Sequence, residues 1–125
     1  MVVKVLLDTN FLLDIVRFKI DFKDFNINEK TEFYITSSTL REIKSLINIK
    51  RKEGRFASIA LKVIEIEGIK ILESVRENVD EDLIELGKKY NFLIATNDKN
   101  LRKKLKMNNI KSICIKNKKR IEVIE

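Results

Sequence analysis

The chain has 125 residues, with 26 Lys and Arg against 19 Asp and Glu, a formal charge of +7, one cysteine and no histidine. With 44% hydrophobic residues it can bury one core and not two, so a single domain over residues 1–125 is expected and disorder is disfavoured. Histidine triads, histidine general acids and the usual structural zinc sites are excluded, as is any intrachain disulfide.

The apolar runs are too short to span a membrane and no signal-peptide pattern opens the chain, so a cytoplasmic protein is expected. Charged residues reach 36% and proline is absent, a balance that suits the surface ion-pair networks of thermophiles. A basic surface attracts polyanions, because Lys and Arg contacts to phosphates release counterions. A lysine-rich solvated surface would give the same charge, and charge alone does not separate the two.

Val2 to Leu7 is a β-branched, nearly continuous apolar run, as a central parallel strand requires. It ends at Asp8-Thr9-Asn10, residues suited to cap a helix from Phe11 to Arg17. Asp21 to Lys30 is polar, with Phe22 and Phe25, and is expected to be a short helix or loop. Phe33 to Thr36 predicts the second strand. Ser37-Ser38-Thr39 then precedes a helix through about Lys50, with Leu40, Ile43, Leu46 and Ile47 on one face.

Arg51 to Arg55, containing Gly54, is expected to be a charged turn. Phe56, Ile59, Ala60, Val63 and Ile64 stripe the next helix, which Gly68 ends, and Ile69 to Leu72 predicts a third strand. Asp80 opens a helix with Leu83, Ile84 and Leu86 inward. Phe92 to Ala95 is a fourth strand, and Thr96-Asn97-Asp98 leads into a helix through about Lys106. Ile110 to Ile115 is the last strand, with Cys114 buried and reduced in it, and a basic tail, Lys116 to Arg120, follows. Alternating strands and helices argue for a parallel sheet covered on both faces.

In such sheets functional groups gather beyond the carboxyl ends of the strands. Asp8 and Asp98 stand just past predicted strand ends, Asp80 starts a helix after the third strand, and Glu42 lies in the first turn of the helix after the second. Four carboxylates at one edge repel: two like charges at ~4 Å cost about 4 kcal/mol at an effective dielectric near 20. A cation, or protonation of some of the acids, offsets that. Oxygen ligands without nitrogen or sulfur suit Mg²⁺ or Mn²⁺, which activate water and stabilise both oxygens of a phosphodiester displacement. Each acid taken singly is also accounted for as a helix cap; Thr39-Leu40-Arg41-Glu42 even matches a capping box. Capping does not explain why these acids share one end of a sheet in a basic protein.

These segments resemble PIN-domain ribonucleases over nearly the whole chain. Val5-Leu6-Leu7-Asp8-Thr9-Asn10 is similar to the first strand and its D-T-N signature, and Ser38 to Ile43 to the helix with the family's glutamate. Val79 to Gly87 is similar to the segment D-D-a-l-i-e-l-A, and Ile94 to Arg102 to V-A-T-N-D-x-x-L-R. The resemblance implies a three-layer α/β/α sandwich on a parallel sheet and Mg²⁺- or Mn²⁺-dependent endonuclease activity on RNA. It makes Asp8, Glu42, Asp80 and Asp98 the metal-binding acids, with Thr96 supporting the site and Asn10 fixing the turn after the first strand. Glu81 replaces the second aspartate of the D-D pair, as a poorer ligand or a helix-dipole partner. Gly87 replaces an alanine, weakening its helix by up to ~1 kcal/mol.

Asp21-Phe22, the A-T-N-D-K segment and the basic tail are similar to archaeal proteins related to ribosomal-RNA-processing endonucleases; VapC toxins share the acids and the length. The partners so implied are RNA, a second copy of the chain and, on the toxin branch, an antitoxin. Lys99, Arg102 and Lys103 beside Asp98 are the expected RNA contacts, although charge runs are usually solvated helix faces. Two other functions fit less well. A catalytically silent RNA-binding module is favoured by Glu81 alone, and a phospho-acceptor domain needs an acidic pair where Asp8 stands by itself.

Overall fold

The computed structural model describes residues 2–25, 30–49 and 51–124. Its strands are β1 (Val2–Leu7), β2 (Lys30–Thr36), β3 (Lys70–Leu72), β4 (Leu93–Ala95), β5 (Ser112–Lys116) and β6 (Arg120–Ile124). Its helices are α1 (Thr9–Arg17), α2 (Ser37–Leu46), α3 (Arg51–Ile66), α4 (Val79–Tyr90) and α5 (Lys99–Met107). Successive residues of a strand point to opposite faces, and β1 shows what that does here. Val5 and Leu7 join a core shared with α1, α2 and α3, whereas Leu6 joins a second core with α4 and α5. All three side chains are fully buried, so the sheet is covered on both sides as a three-layer α/β/α sandwich.

The sheet order is β3-β2-β1-β4-β5-β6, parallel except where β6 returns antiparallel along β5. The chain winds outward from β1 to β3, then crosses back to place β4 on the other side of β1. The crossover direction therefore reverses between β1 and β4, and the crevice above that point is where such sheets hold ligands.

Several sequence expectations need correcting. The segment Arg51 to Arg55 is not a turn but the first turn and a half of α3, and α2 stops at Leu46 rather than running to Lys50, which lies outside the described residues. The cause is a tight corner. A Cβ on Gly54 would stand 2.5 Å from the Ile47 carbonyl oxygen, so glycine permits the backbones of α2 and α3 to touch. Strand β2 begins at Lys30, three residues before the expected Phe33, because its ladder with β1 starts at the pair Val2 and Lys30. Within the segment 21–30, Phe22–Asp24 forms one 3₁₀ turn whose phenylalanines pack with Phe11 and Phe33; residues 26–29 lie outside the described residues.

The basic tail is also structured. Asn117 and Lys118, at φ 55° and 58°, turn the chain, Lys119 N–H donates to Lys116 O at 3.1 Å, and β6 follows. Gly68 (φ 63°) ends α3 as expected, and Cys114 is buried and free. At Gly87 a Cβ would meet the methyl ends of Ile110 and Ile94 at 3.2 and 3.3 Å, so the family's alanine would fit only if those side chains gave way slightly.

Gly54→Ala tests the corner. Helix propensity alone predicts a gain of about 1 kcal/mol, but the backbone clash reverses it. A loss of about 1–3 kcal/mol is expected in urea unfolding, and a stabilised variant would contradict the close approach.

Candidate active site at the switch point

The ends of β1 and β4 are locked together. Asp8 N–H donates to Ala95 O at 2.9 Å, and Thr96 N–H to Ile113 O at 2.9 Å, which carries the register one residue beyond the strands. The loop leaving β4 then folds over Asp8. Thr96 Oγ1 donates to Asp8 Oδ2 at 3.0 Å and accepts Asp98 N–H at 3.1 Å. Thr96 is fully buried, so the hydroxyl is a fixed strut between the two loops.

Asp8 occupies the N-cap position of α1, yet its side chain makes no capping bond into the helix. It sits half-buried at the switch point, and burial pushes its pKa up to about 6. The bonds from Thr96 and Thr9 oppose that shift, while the carboxylates of Asp80 and Glu42 add to it. Three acids from β1, α2 and α4 thus share one field.

Glu42 and Asp80 also lose their innocent explanations. The cap of α2 is Thr36, whose hydroxyl accepts Thr39 N–H at 3.1 Å, so Glu42 lies deeper in the helix than a capping box allows. Its carboxylate is exposed and has no hydrogen-bond or ion-pair partner among the described residues. The cap of α4 is Asn78, which accepts Glu81 N–H at 3.0 Å, and Asp80 instead faces Lys104 Nζ at 3.6 Å. Asp98 alone behaves as a cap, with Oδ1 accepting from Asn100 and Leu101 N–H at 2.8 and 3.3 Å.

Glu81 is exposed and contributes to the field at Arg76, beside Glu85, rather than to that at Asp8. The Asn10 side chain is exposed, and the turn after β1 is held by the backbone bonds of Asp8. Lys99 and Lys103 are exposed and Arg102 half-buried on α5, immediately past Asp98.

Other supports escaped the sequence reading. Asp82 is buried and accepts Val75 and Arg76 N–H at 2.7 and 3.1 Å, pinning the loop that leads to Asp80. Ser74 docks the same loop on the start of α2, its N–H donating to Ser37 Oγ at 3.0 Å and its Oγ lying 2.7 Å from Ser38 Oγ. Asn97 donates to Asp14 Oδ2 and accepts Ile115 N–H, both at 2.8 Å, tying α1 to β5. Thr9 and Thr36 both approach the buried Thr39, which holds the starts of α1 and α2 together. The residue types give no pattern for these clamps, since their partners lie up to 83 positions away.

The donor set consists of oxygens, with a desolvated carboxylate at its centre, and this fits a hard divalent cation. Among the described residues, however, no three acidic side chains are gathered tightly enough to hold an ion as they stand.

An α/β/α sandwich with acids at the reversal of its sheet order defines the class. A family model described as "PIN like domain" matches residues 5–118, and the chain belongs to that family. It is 32% identical over 126 residues to a protein named Ribonuclease VapC4 from Methanocaldococcus jannaschii, covering 96% of this chain and 95% of that one. It is 34% identical over 121 residues to Ribonuclease VapC9 from Archaeoglobus fulgidus, covering 93% and 85%. Among solved structures, the PIN domain endonuclease Utp24 superposes with a TM-score of 0.80 at 26% identity, over 96% of this chain and 90% of that one. A domain of a functionally unknown protein from M. jannaschii matches in fold, with a TM-score of 0.69 at 16% identity over 90% and 91%.

Two outcomes test the site. Asp8 is harder to ionise in the fold than in the unfolded chain, so its contribution is intact below pH 4 and is lost as pH rises through about 6. In metal-free buffer at pH 7.5, Asp8→Asn should therefore be more stable than the native chain, by up to about 3 kcal/mol. Denaturant midpoints should converge near pH 4; a constant difference across the range would refute the assignment. Thr96→Val removes the bond that favours the charged form, so the carboxyl carbon resonance of Asp8 should titrate at higher pH than in the native chain.

Proposed function

We propose that the protein is a divalent-metal-dependent endoribonuclease that hydrolyses RNA phosphodiester bonds. The observation that carries this is Asp8, a desolvated carboxylate at the switch point, flanked by Asp80 and Glu42. Burying a carboxylate among like charges is unfavourable unless a cation completes the site. The ribonuclease names of the two relatives and the endonuclease Utp24 agree with this reading.

Bound Mg²⁺ or Mn²⁺ would supply Lewis acidity at a phosphoryl oxygen and lower the pKa of water. The chain's own groups divide the remaining work. Asp8 is the ligand whose orientation Thr96 sets in advance. Glu42 and Asp80, on α2 and α4, would be further ligands. Asp98 uses one oxygen in its cap and would offer the other. Lys104 offsets the charge of Asp80. Lys99, Arg102 and Lys103 hold phosphates beside Asp98, where cations counter the acids.

The two branches make different biological demands. The flanking sequence favours an RNA-processing role, whereas the VapC names of the relatives favour a toxin held by an antitoxin. Expression without any partner separates them: growth arrest that a co-expressed upstream reading frame relieves would assign the toxin branch, and unaffected growth the processing branch. A second copy of the chain is the other proposed protein partner. No helix among the described residues is long and apolar enough to cross a membrane, which agrees with the proposed cytoplasmic location. Glu81, the residue that hinted at a silent module, lies with Arg76 rather than with Asp8, which weakens that reading.

Asp8→Asn and Asp98→Asn should each reduce RNA cleavage by more than about 100-fold, and excess EDTA should abolish it until Mn²⁺ is restored. Asparagine also caps helices, so Asp98→Asn keeps α5 and its loss of activity reports on the carboxylate. Cleavage that survives both variants, or persists in EDTA, would end the proposal.

A further inference from the structure

Helix α5 sorts its residues by face. Leu101 and Leu105, four apart, enter the core, and Lys104 turns toward Asp80 on α4. Lys99, Arg102, Lys103 and Lys106 fall at i, i+3, i+4 and i+7, which is one continuous stripe. These four cations form one wall of a groove of about 260 Å³, whose floor includes Ile110 and Ile124. None of the four has an ion-pair partner among the described residues.

Like charges at these spacings destabilise a helix, and Lys99 also opposes the positive end of the α5 dipole. The fold nevertheless concentrates them along one groove that begins next to Asp98 and is floored by apolar side chains. At 1.5 Å per residue, Lys99 and Lys106 are about 10 Å apart along the axis, so the stripe can meet more than one backbone phosphate of a strand laid along it.

The geometry points to this groove as the track for the RNA strand leaving the acid site, with its phosphates on the α5 stripe and its sugars and bases over Ile110 and Ile124. This rests on the ribonuclease reading and adds to it. The track extends the contact beyond Lys99, Arg102 and Lys103 to Lys106, and it makes affinity depend on the length of single strand available beyond the cut. Recognition is mainly of the backbone, since the groove is lined chiefly by cations and aliphatic carbon and by no aromatic residue that could stack a base.

The test uses the full chain in EDTA, with fluorescent oligouridine of about 4 and about 12 nucleotides and anisotropy from about 50 to 200 mM salt. The longer RNA should bind more tightly, and Lys103→Gln/Lys106→Gln should remove most of that gain. Its salt slope should become shallower by about 1.4, from two lost phosphate contacts. Lys52→Gln/Lys62→Gln on α3, with the same charge change, should keep the native slope. Thermal unfolding of the α5 variant should be unchanged or later, because repulsion has been removed.

Single-stranded DNA binding as well as RNA would still support a phosphate track. An unchanged length gain in the α5 variant, or an equal loss in the α3 control, would overturn it. So would a polyglutamate peptide losing affinity in the α5 variant where RNA does not, since the groove would then suit an acidic protein segment. Cleavage of the short RNA by the native chain with Mn²⁺ is scored separately. Length-dependent binding without cleavage keeps the track and removes the nuclease, and cleavage without it does the reverse.

Discussion

The hydrogen bond from Asp8 N–H to Ala95 O sits where the sheet reverses its winding, and the arrangement of the acid end follows from it. It fixes the residue after β1 against the last residue of β4, which places Thr96 directly over the Asp8 carboxylate. Asp98 is then constrained through Thr96 Oγ1, and α5 starts where Asp98 can cap it. On the opposite flank, the threonines at the starts of α1 and α2 set where Glu42 stands relative to Asp8. Asp80 is delivered by a loop clamped to the start of α2 through Ser74 and to α4 through Asp82. The carboxylates around Asp8 come from helix starts and turns nearer the surface, and the precision from buried neutral hydroxyls and amide-binding acids. This division suits a site that must be rigid at Asp8 and adjustable around it.

Charge is distributed to match. The chain is basic overall, but the switch point is locally acidic and partly dry, which is why Asp8 resists ionisation. Cations approach from α5: Lys104 sits against Asp80, and the unpaired stripe runs away along the groove. On the proposed reading, a polyanion arriving along α5 meets an attractive field up to the acids, where a bound cation would make the last ångströms favourable. The position of a cut along the strand can follow from that field without any base contact.

How much of this was legible in the sequence depended on the range of the interaction. Strand ends and the placement of acids past them are local pattern, which made a shared site reasonable; the family's motifs then singled out Asp8, Glu42, Asp80 and Asp98. The capping roles were harder. Thr36-Ser37-Ser38-Thr39 and Asn78-Val79-Asp80 each contain several competent caps, and the choice is made by backbone angles at the helix entry that neighbouring loops impose. Only Asp98 turned out to cap. Gly54 looked like a breaker because its reason, the Ile47 carbonyl, belongs to another helix. The last strand was hidden because Lys116 to Arg120 reads as a charge run, while the alternation in Ile121-Glu122-Val123-Ile124 is short and the turn places Lys118 at positive φ. Asp82, Ser74 and Asn97 were passed over because polar clamps have no period.

The bond between Thr96 and Asp8 joins residues 88 positions apart. Contacts that distant form late, since a long loop must close before β4 can add to β1. A nascent chain that has made β1, α1, β2 and α2 already carries Asp8 and Glu42, but nothing yet desolvates the one or holds the other in its field. The acid end comes into being only when the polypeptide has been synthesised well past its middle and the second half of the sheet has docked. Partial chains and truncation products are therefore without the assembled site.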